Sequence, residues 1–149
     1  MLHYVPPERS ETGYPRRPSE LGKVHDAILT DLLPHHTEFD GIVTAGDMHG
    51  VALGAVAAAG LWLPFMAICQ GDHSCVVSHI VMFGEIHPDM RMLYLDDMFA
   101  FGASLAHVMG YMSQSETPNI VATYEYSRRL YRPVKLNEDA ATWQPLQGD

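Results

Sequence analysis

Lysine is nearly absent from this chain: Lys23 and Lys135 are the only two in 149 residues, and the formal net charge is −9. A chain so poor in mobile cations offers no basic face to nucleic acid or to an anionic membrane, so neither is expected as a partner. A phosphate ligand is still admissible, because backbone amides at a helix start can hold one. Cysteine is equally scarce. Cys69 and Cys75 cannot build a disulfide framework, and a reducing, cytoplasmic setting is expected. No apolar run reaches 18 residues; the longest stretch, Val51–Ile68, is interrupted by Gly54, Gly60 and Pro64, which argues against a membrane span. The segment Met1–Ser19 holds four prolines and no apolar stretch, so it does not read as a secretion signal. Internal repeats and low-complexity tracts are also lacking.

What is present fits one α/β domain over 1–149: an N-terminal arm and helix (1–38), a core (39–124) and a C-terminal tail (125–149). Leu21, Val24, Ile28 and Leu32 recur at helical spacing behind Ser19, a capping residue, and Pro34 should end that helix. Four short apolar runs read as buried strands: Gly41–Ala45, Pro64–Cys69, Met92–Leu95 and Ile120–Tyr124. Between them lie two helical stretches, Val51–Ala59, ending at Gly60, and Gly102–Met112. Cys75–Phe83 could form an edge strand, and the tail after Glu125 has no clear period. Continuously apolar strands alternating with helices predict a parallel sheet of four or five strands with helices on both faces. Ligands of such sheets sit beyond the carboxyl ends of the strands, where the strand order reverses.

The strongest local pattern is Met92-Leu-Tyr-Leu-Asp96-Asp97-Met-Phe-Ala100-Phe101-Gly102-Ala103-Ser104. A buried strand runs into two adjacent acids, a short loop and a helix start. Loop and helix-start amides suit a phosphate. The two carboxylates can accept hydrogen bonds from vicinal sugar hydroxyls or lie beside a metal. A second strand–loop–helix unit precedes it, Gly41-Ile-Val-Thr-Ala-Gly46-Asp47-Met48-His49-Gly50. Gly46 and Gly50 permit positive φ and close backbone approach.

Taken together, the two loops resemble those of the type I phosphoribosyltransferases. That family carries an apolar strand, two acids, two apolar residues and a loop of the form Ala/Thr/Asp-Thr-Gly-any-Thr/Ser; Asp96, Asp97, Ala100, Gly102 and Ser104 fall on it. Phe101 stands where threonine is usual, which removes one phosphate donor and adds bulk. Asp47–Gly50 matches the spacing of the Glu-Ala-Arg-Gly loop of the adenine-specific members, with His49 in place of the basic residue. The resemblance covers about residues 39–124. It implies the phosphoribosyltransferase fold and a phosphoribosyl pyrophosphate site. Ala100–Ser104 would hold the 5′-phosphate, Gly46–Gly50 the pyrophosphate, and Asp96 and Asp97 the ribose hydroxyls or magnesium. It also implies a homodimer.

Residues 70–90 occupy the place of the family's catalytic flap, but no Lys or Arg precedes Arg91 there. Cys69, His73, Cys75 and His79 mix zinc-ligand types, yet their spacing matches no zinc motif, and a buried thiol with loop histidines is the simpler reading. In the tail, Ala141-Thr-Trp143-Gln-Pro145 is similar to the C-terminal part of xanthine–guanine phosphoribosyltransferases, which suggests Trp143 as a face for stacking a base; Tyr124 is a second candidate. Two functions follow: transfer of a phosphoribosyl group to a base, a purine by preference, or ligand binding without catalysis on the same fold.

Overall fold

The computed structural model describes residues 18–70, 77–97, 103–112 and 117–134. Three helices, α1 (Pro18–Leu32), α2 (Met48–Leu61) and α3 (Ala103–Met112), accompany six strands: β1 (Gly41–Ala45), β2 (Phe65–Gln70), β3 (Val77–Phe83), β4 (Arg91–Asp96), β5 (Asn119–Glu125) and β6 (Leu130–Pro133). They form one sheet of order β3-β2-β1-β4-β5-β6. The central four strands are parallel, and β3 and β6 run antiparallel at the two edges. Every buried apolar run expected as a strand is one, within a residue or two at each end. β3 is the edge strand that Cys75–Phe83 suggested, though it runs antiparallel to β2. The other edge differs from the expectation of four or five strands, because β6 follows a tight turn in a stretch whose charges and proline hide any alternation.

Side chains divide between two cores, one on each face. Val24, Ile28 and Leu32 of α1 and Leu53, Ala57 and Ala58 of α2 pack over Ile42, Phe65, Leu93, Leu95, Ala122 and Tyr124. Val108 and Met112 of α3 pack over Val43, Met66, Ile68, Met92, Tyr94 and Ile120 on the other face. The helix α1 ends near Pro34 as expected, through a 3-10 turn at Leu33–His35. Leu21, placed by its spacing on the buried stripe, is exposed instead, because the stripe meets α2 only from Val24 onward.

Helix α2 starts earlier and ends later than its sequence suggests. Asp47 caps it, so helix begins at Met48, and the chain stops only at Trp62, in the left-handed region at φ 57°. Gly60 is not the terminator. A Cβ there would lie 2.8 Å from Leu29 Cδ2, so its role is to let α1 and α2 approach closely. Gly54 does the same against the sheet: a Cβ would fall 2.5 Å from Phe65 Cζ and 2.6 Å from Thr44 Cγ2. Both neighbours are buried and fixed, so neither can yield cheaply. Gly54→Ala is therefore expected to lower stability by about 1–3 kcal/mol, the usual cost of overpacking. Urea unfolding with an unchanged slope and a lower midpoint would show it; an unchanged midpoint would mean that α2 is not seated as described.

Candidate active site

The strand order reverses between β1 and β4: from β1 the chain moves outward to β2, and β4 then returns to β1's other side. The carboxyl ends of these neighbours carry the two loops singled out above. On β1, Gly46 donates its N–H to Ile68 O at 2.8 Å, continuing the ladder with β2. A Cβ at Gly46 would stand 2.7 Å from Cys69 Sγ, and one at Gly50 2.8 Å from Ala45 O. Neither glycine has positive φ, so close approach alone explains them.

Asp47 closes the turn. Its Oδ1 accepts from the N–H of Gly50 at 2.7 Å, a side-chain cap on α2. The other amides of the first helical turn project toward the space beyond the strands, as at any helix start. Met48 and His49 are exposed there, and Gly50 is buried.

Asp96 ends β4 and Asp97 follows it, only 8% and 4% exposed. Tyr94 lies two residues before Asp96 on the same side of the strand, and its hydroxyl donates to Asp96 Oδ2 at 2.9 Å. The N–H of Asp97 donates to Asp96 Oδ1 at 2.7 Å. Burial pushes the Asp96 carboxyl above the ordinary range; those two bonds pull it back, and the charges of Asp47 and Asp97 push it up again. Asp97 is also raised, first by burial, then by Glu125 and Asp47, while the charge of His49 opposes the shift. Asp47 and His49 of one loop therefore act electrostatically on the two acids of the other. The two loops therefore lie close together at the carboxyl ends of β1 and β4.

Two participants were not anticipated from the sequence. Tyr94 could have been found by its strand spacing from Asp96. Glu125 could not, since only the pairing of Asp96 with Glu125 across β4 and β5 places it there. Glu125 is buried, with Arg128 Nε 3.6 Å from its Oε2. The adjoining turn is tied to the acids by backbone bonds from Tyr126 N to Asp96 O and from Ser127 N to Asp97 O.

Tyr124 needs correction as a base-stacking residue. Its ring is 0% exposed within the α1–α2 core, and its hydroxyl donates to Asp31 at 2.6 Å. A side chain inside that core presents no face to a ligand. Ala100, Phe101, Gly102 and Trp143 lie outside the described residues, as do His73 and Cys75. Ala103 and Ser104 open the first turn of α3. Cys69 pairs with Ser78 and Ile68 with His79, so alternation sends Cys69 and His79 to opposite faces of the sheet. His79 instead meets the Tyr111 hydroxyl at 2.5 Å.

No group of three or more His, Cys, Asp or Glu side chains among the described residues is arranged to hold a metal. Magnesium commonly asks less of a protein, one or two carboxylates with substrate phosphates completing its shell. Asp97 meets that requirement. Its Oδ1 is buried and has no hydrogen-bond partner among the described residues.

The raised carboxyls have a measurable consequence. An acid whose pKa is raised by folding stabilises the fold while protonated, and that contribution is lost as pH rises through the raised value. At neutral pH the ligand-free protein carries this penalty. Asp96→Asn removes it, keeps an acceptor for the Asp97 amide and loses the one that the Tyr94 hydroxyl uses. The lost bond costs the same at every pH, so the test is the pH dependence: the variant's melting point relative to the unsubstituted protein is expected to rise by a few degrees from acidic to neutral solution, as ~1 kcal/mol would give in a domain of this size. A difference that does not change with pH would show that Asp96 is not held against its ionisation.

No family model matches the sequence, and no curated protein resembles it closely enough to count as a relative. Solved structures do match. An adenine phosphoribosyltransferase of Trypanosoma brucei, solved with AMP, pyrophosphate and ribose-5-phosphate, aligns with 73% of this chain and 52% of its own, at TM-score 0.55 and 16% identity. The orotate phosphoribosyltransferase of Francisella tularensis gives the same coverages at TM-score 0.56 and 12% identity. This chain thus spans about half the length of either. The Saccharomyces cerevisiae adenine phosphoribosyltransferase aligns over 80% of this chain and 79% of its own, at TM-score 0.55 and 19% identity. At these identities the likeness concerns architecture, and the chain has the fold of the type I phosphoribosyltransferases.

Proposed function

We propose that this chain transfers a 5-phosphoribosyl group from phosphoribosyl pyrophosphate to a ring nitrogen of a base, with a purine as first choice, and releases pyrophosphate. The observation that carries this reading is the joining of two loops at the β1–β4 reversal, with His49 and Asp47 acting on Asp97 across it. In this reading the base nitrogen forms a bond to the anomeric carbon as the bond to pyrophosphate oxygen breaks. Positive charge develops on the ribose at the transition state. A site edged by Asp47, Asp96, Asp97 and Glu125 favours that charge.

Asp97, whose Oδ1 has no hydrogen-bond partner among the described residues, takes a ribose hydroxyl or magnesium. Asp96, with both oxygens already accepting hydrogen bonds, fixes the strand end and the second hydroxyl. The first turn of α2, Asp47–Gly50, faces the pyrophosphate, and the start of α3 at Ala103 and Ser104 faces the 5′-phosphate, with Ala100, Phe101 and Gly102 completing that loop. Magnesium, when bound, neutralises charge on the pyrophosphate and so compensates for the scarcity of basic side chains. Trp143 remains the candidate for stacking the base. A homodimer is the assembly that goes with this reading.

A second reading, ligand binding without catalysis, draws on the same acidic set. Around Asp97 the charges of Glu125 and Asp47 are opposed by that of His49, where a departing pyrophosphate needs cations. Turnover with a panel of purine and pyrimidine bases, in magnesium, separates the two. Binding itself is tested by calorimetric titration of phosphoribosyl pyrophosphate with magnesium. Replacing Asp96 and Asp97 together by Asn keeps their shape and removes charge and half the acceptor capacity. A hydrogen bond to a charged group contributes about 1.5–3 kcal/mol, and ~1.4 kcal/mol is a factor of ten in affinity. The double variant should bind at least about tenfold more weakly and remain folded. Equal binding by both proteins would displace the site, and failure of the unsubstituted chain to bind would remove the transferase reading.

A further inference from the structure

Tyr94 is the one aromatic side chain of β4, whose other members are Arg91, Met92, Leu93, Leu95 and Asp96. The strand is flanked on both sides, and Tyr94 itself is paired with Val43 of β1 and Thr123 of β5. Its ring belongs to the α3-side core with Val43, Met92, Val108 and Met112, and none of its surface is exposed. A phenol hydroxyl in such a place costs free energy unless it is hydrogen-bonded, and an apolar ring would fill the same volume without that demand. The hydroxyl donates to Asp96 Oδ2 at 2.9 Å.

Two residues along a strand span about 6.7 Å, a length that a tyrosine side chain lying along it can bridge and a serine or threonine cannot. The other oxygen of Asp96, Oδ1, accepts from the N–H of Asp97 at 2.7 Å. One bond to each oxygen fixes both torsions of the Asp96 side chain, so the plane of its carboxylate is set before a ligand arrives. A carboxylate offers about four acceptor positions, and these two bonds leave the rest free to act in fixed directions. Acceptors ordered in advance bind without the cost of immobilising a side chain. The ring supplies the rigidity, since it is held between α3 and two neighbouring strands.

We propose that Tyr94 is a positioning residue for the sugar: it holds the Asp96 carboxylate in the orientation that accepts a ribose hydroxyl and has no part in holding the pyrophosphate. The inference rests on the phosphoribosyl-transfer reading, in which Asp96 takes that hydroxyl. A ring with no exposed surface does not touch the ligand, so Tyr94 acts through Asp96. The pyrophosphate loop, Asp47–Gly50, follows a different strand and is closed by its own bond from Gly50 N to Asp47 Oδ1. Losing the Tyr94 hydroxyl leaves that loop as it is.

Tyr94→Phe keeps the ring that fills the core and removes only the hydroxyl. Calorimetric titration in magnesium, with phosphoribosyl pyrophosphate and with pyrophosphate alone as probes, reads the effect. The variant should bind phosphoribosyl pyrophosphate at least about fivefold more weakly, having lost a hydrogen bond to a charged group, and pyrophosphate within about twofold of the unsubstituted chain. The pyrophosphate arm also shows that the variant is folded. In an Asp96→Asn background, where the oxygen that Tyr94 uses is gone, the same substitution should change affinity by less than about twofold, because groups that act as one unit are not additive. Equal binding of phosphoribosyl pyrophosphate by the unsubstituted chain and Tyr94→Phe overturns the positioning role. So does an equal loss for both probes, which marks a general loosening of the strand end, and so does a full loss repeated in the Asp96→Asn background, which marks an action that bypasses Asp96. An unsubstituted chain that does not bind phosphoribosyl pyrophosphate, whether or not it binds pyrophosphate, removes the transferase reading and this role with it.

Discussion

The pairing of β1 with β4 is the constraint on which the site depends. These strands are some fifty residues apart in the chain, and their register sets Gly41 opposite Met92, Ile42 opposite Leu93 and Val43 opposite Tyr94. A slip of one residue would turn every side chain of β4 to the other face. The register is fixed at the amino ends of the strands. Asp40 N donates to Arg91 O at 2.6 Å, and Arg91 donates its backbone N–H and its guanidinium to the Asp40 carboxylate. The same guanidinium reaches Thr37 O at 3.1 Å. These bonds from Arg91 hold the Asp40 carboxyl below its usual range. What this clamp fixes at one end of the sheet, parallel strands carry to the other, where Gly46 and Asp96 must meet.

Two arginines among the described residues serve architecture. Arg91 locks β1 to β4, and Arg129, in the left-handed region at φ 53°, joins the β5–β6 turn to α1 by bonding both Asp31 oxygens and Ala27 O. Asp31 is consequently held low by Arg129, against the effect of its own burial. Asp96 and Asp97 have the opposite environment: burial raises both, and the bonds to Asp96 come from a neutral hydroxyl and an amide. Asp31 and Asp40 are thus paired with guanidinium groups, whereas Asp96 and Asp97 are raised by burial and ionise at an energetic cost. Such a cost at a strand terminus is a mark of a site built for something other than stability.

The central sheet was legible in the sequence because its strands are apolar on both faces and its loops carry Gly and Asp at fixed places. Gly41–Ala45 has the same bounds by sequence and by structure. The edges were less legible. Leu-Tyr-Arg-Pro gives no alternation to read, and its pairing with Ala122–Glu125 depends on the Arg129 turn, which is secured by an aspartate on α1. Trp62 as the end of α2 was hidden by Gly60, whose missing side chain serves the α1 contact. Tyr124 shows the limit of reading a site from strand position. At the carboxyl end of a strand a side chain faces either the crevice or a core, and only the register decides which.

The same alternation explains why two adjacent acids are not redundant. Along β4, Met92 and Tyr94 face the α3 side, and Leu93 and Leu95 face the α1–α2 side. Asp96 continues the first row, and Tyr94 reaches it. Asp97 follows the second row toward the start of α2, and the charge of His49 acts on it. One aspartate is thereby tied to the strand's own framework, and the other keeps a buried oxygen with no hydrogen-bond partner among the described residues. A single acid could do one of these things. Successive residues at a strand end face opposite ways, so Asp96 and Asp97, though adjacent, meet different surroundings.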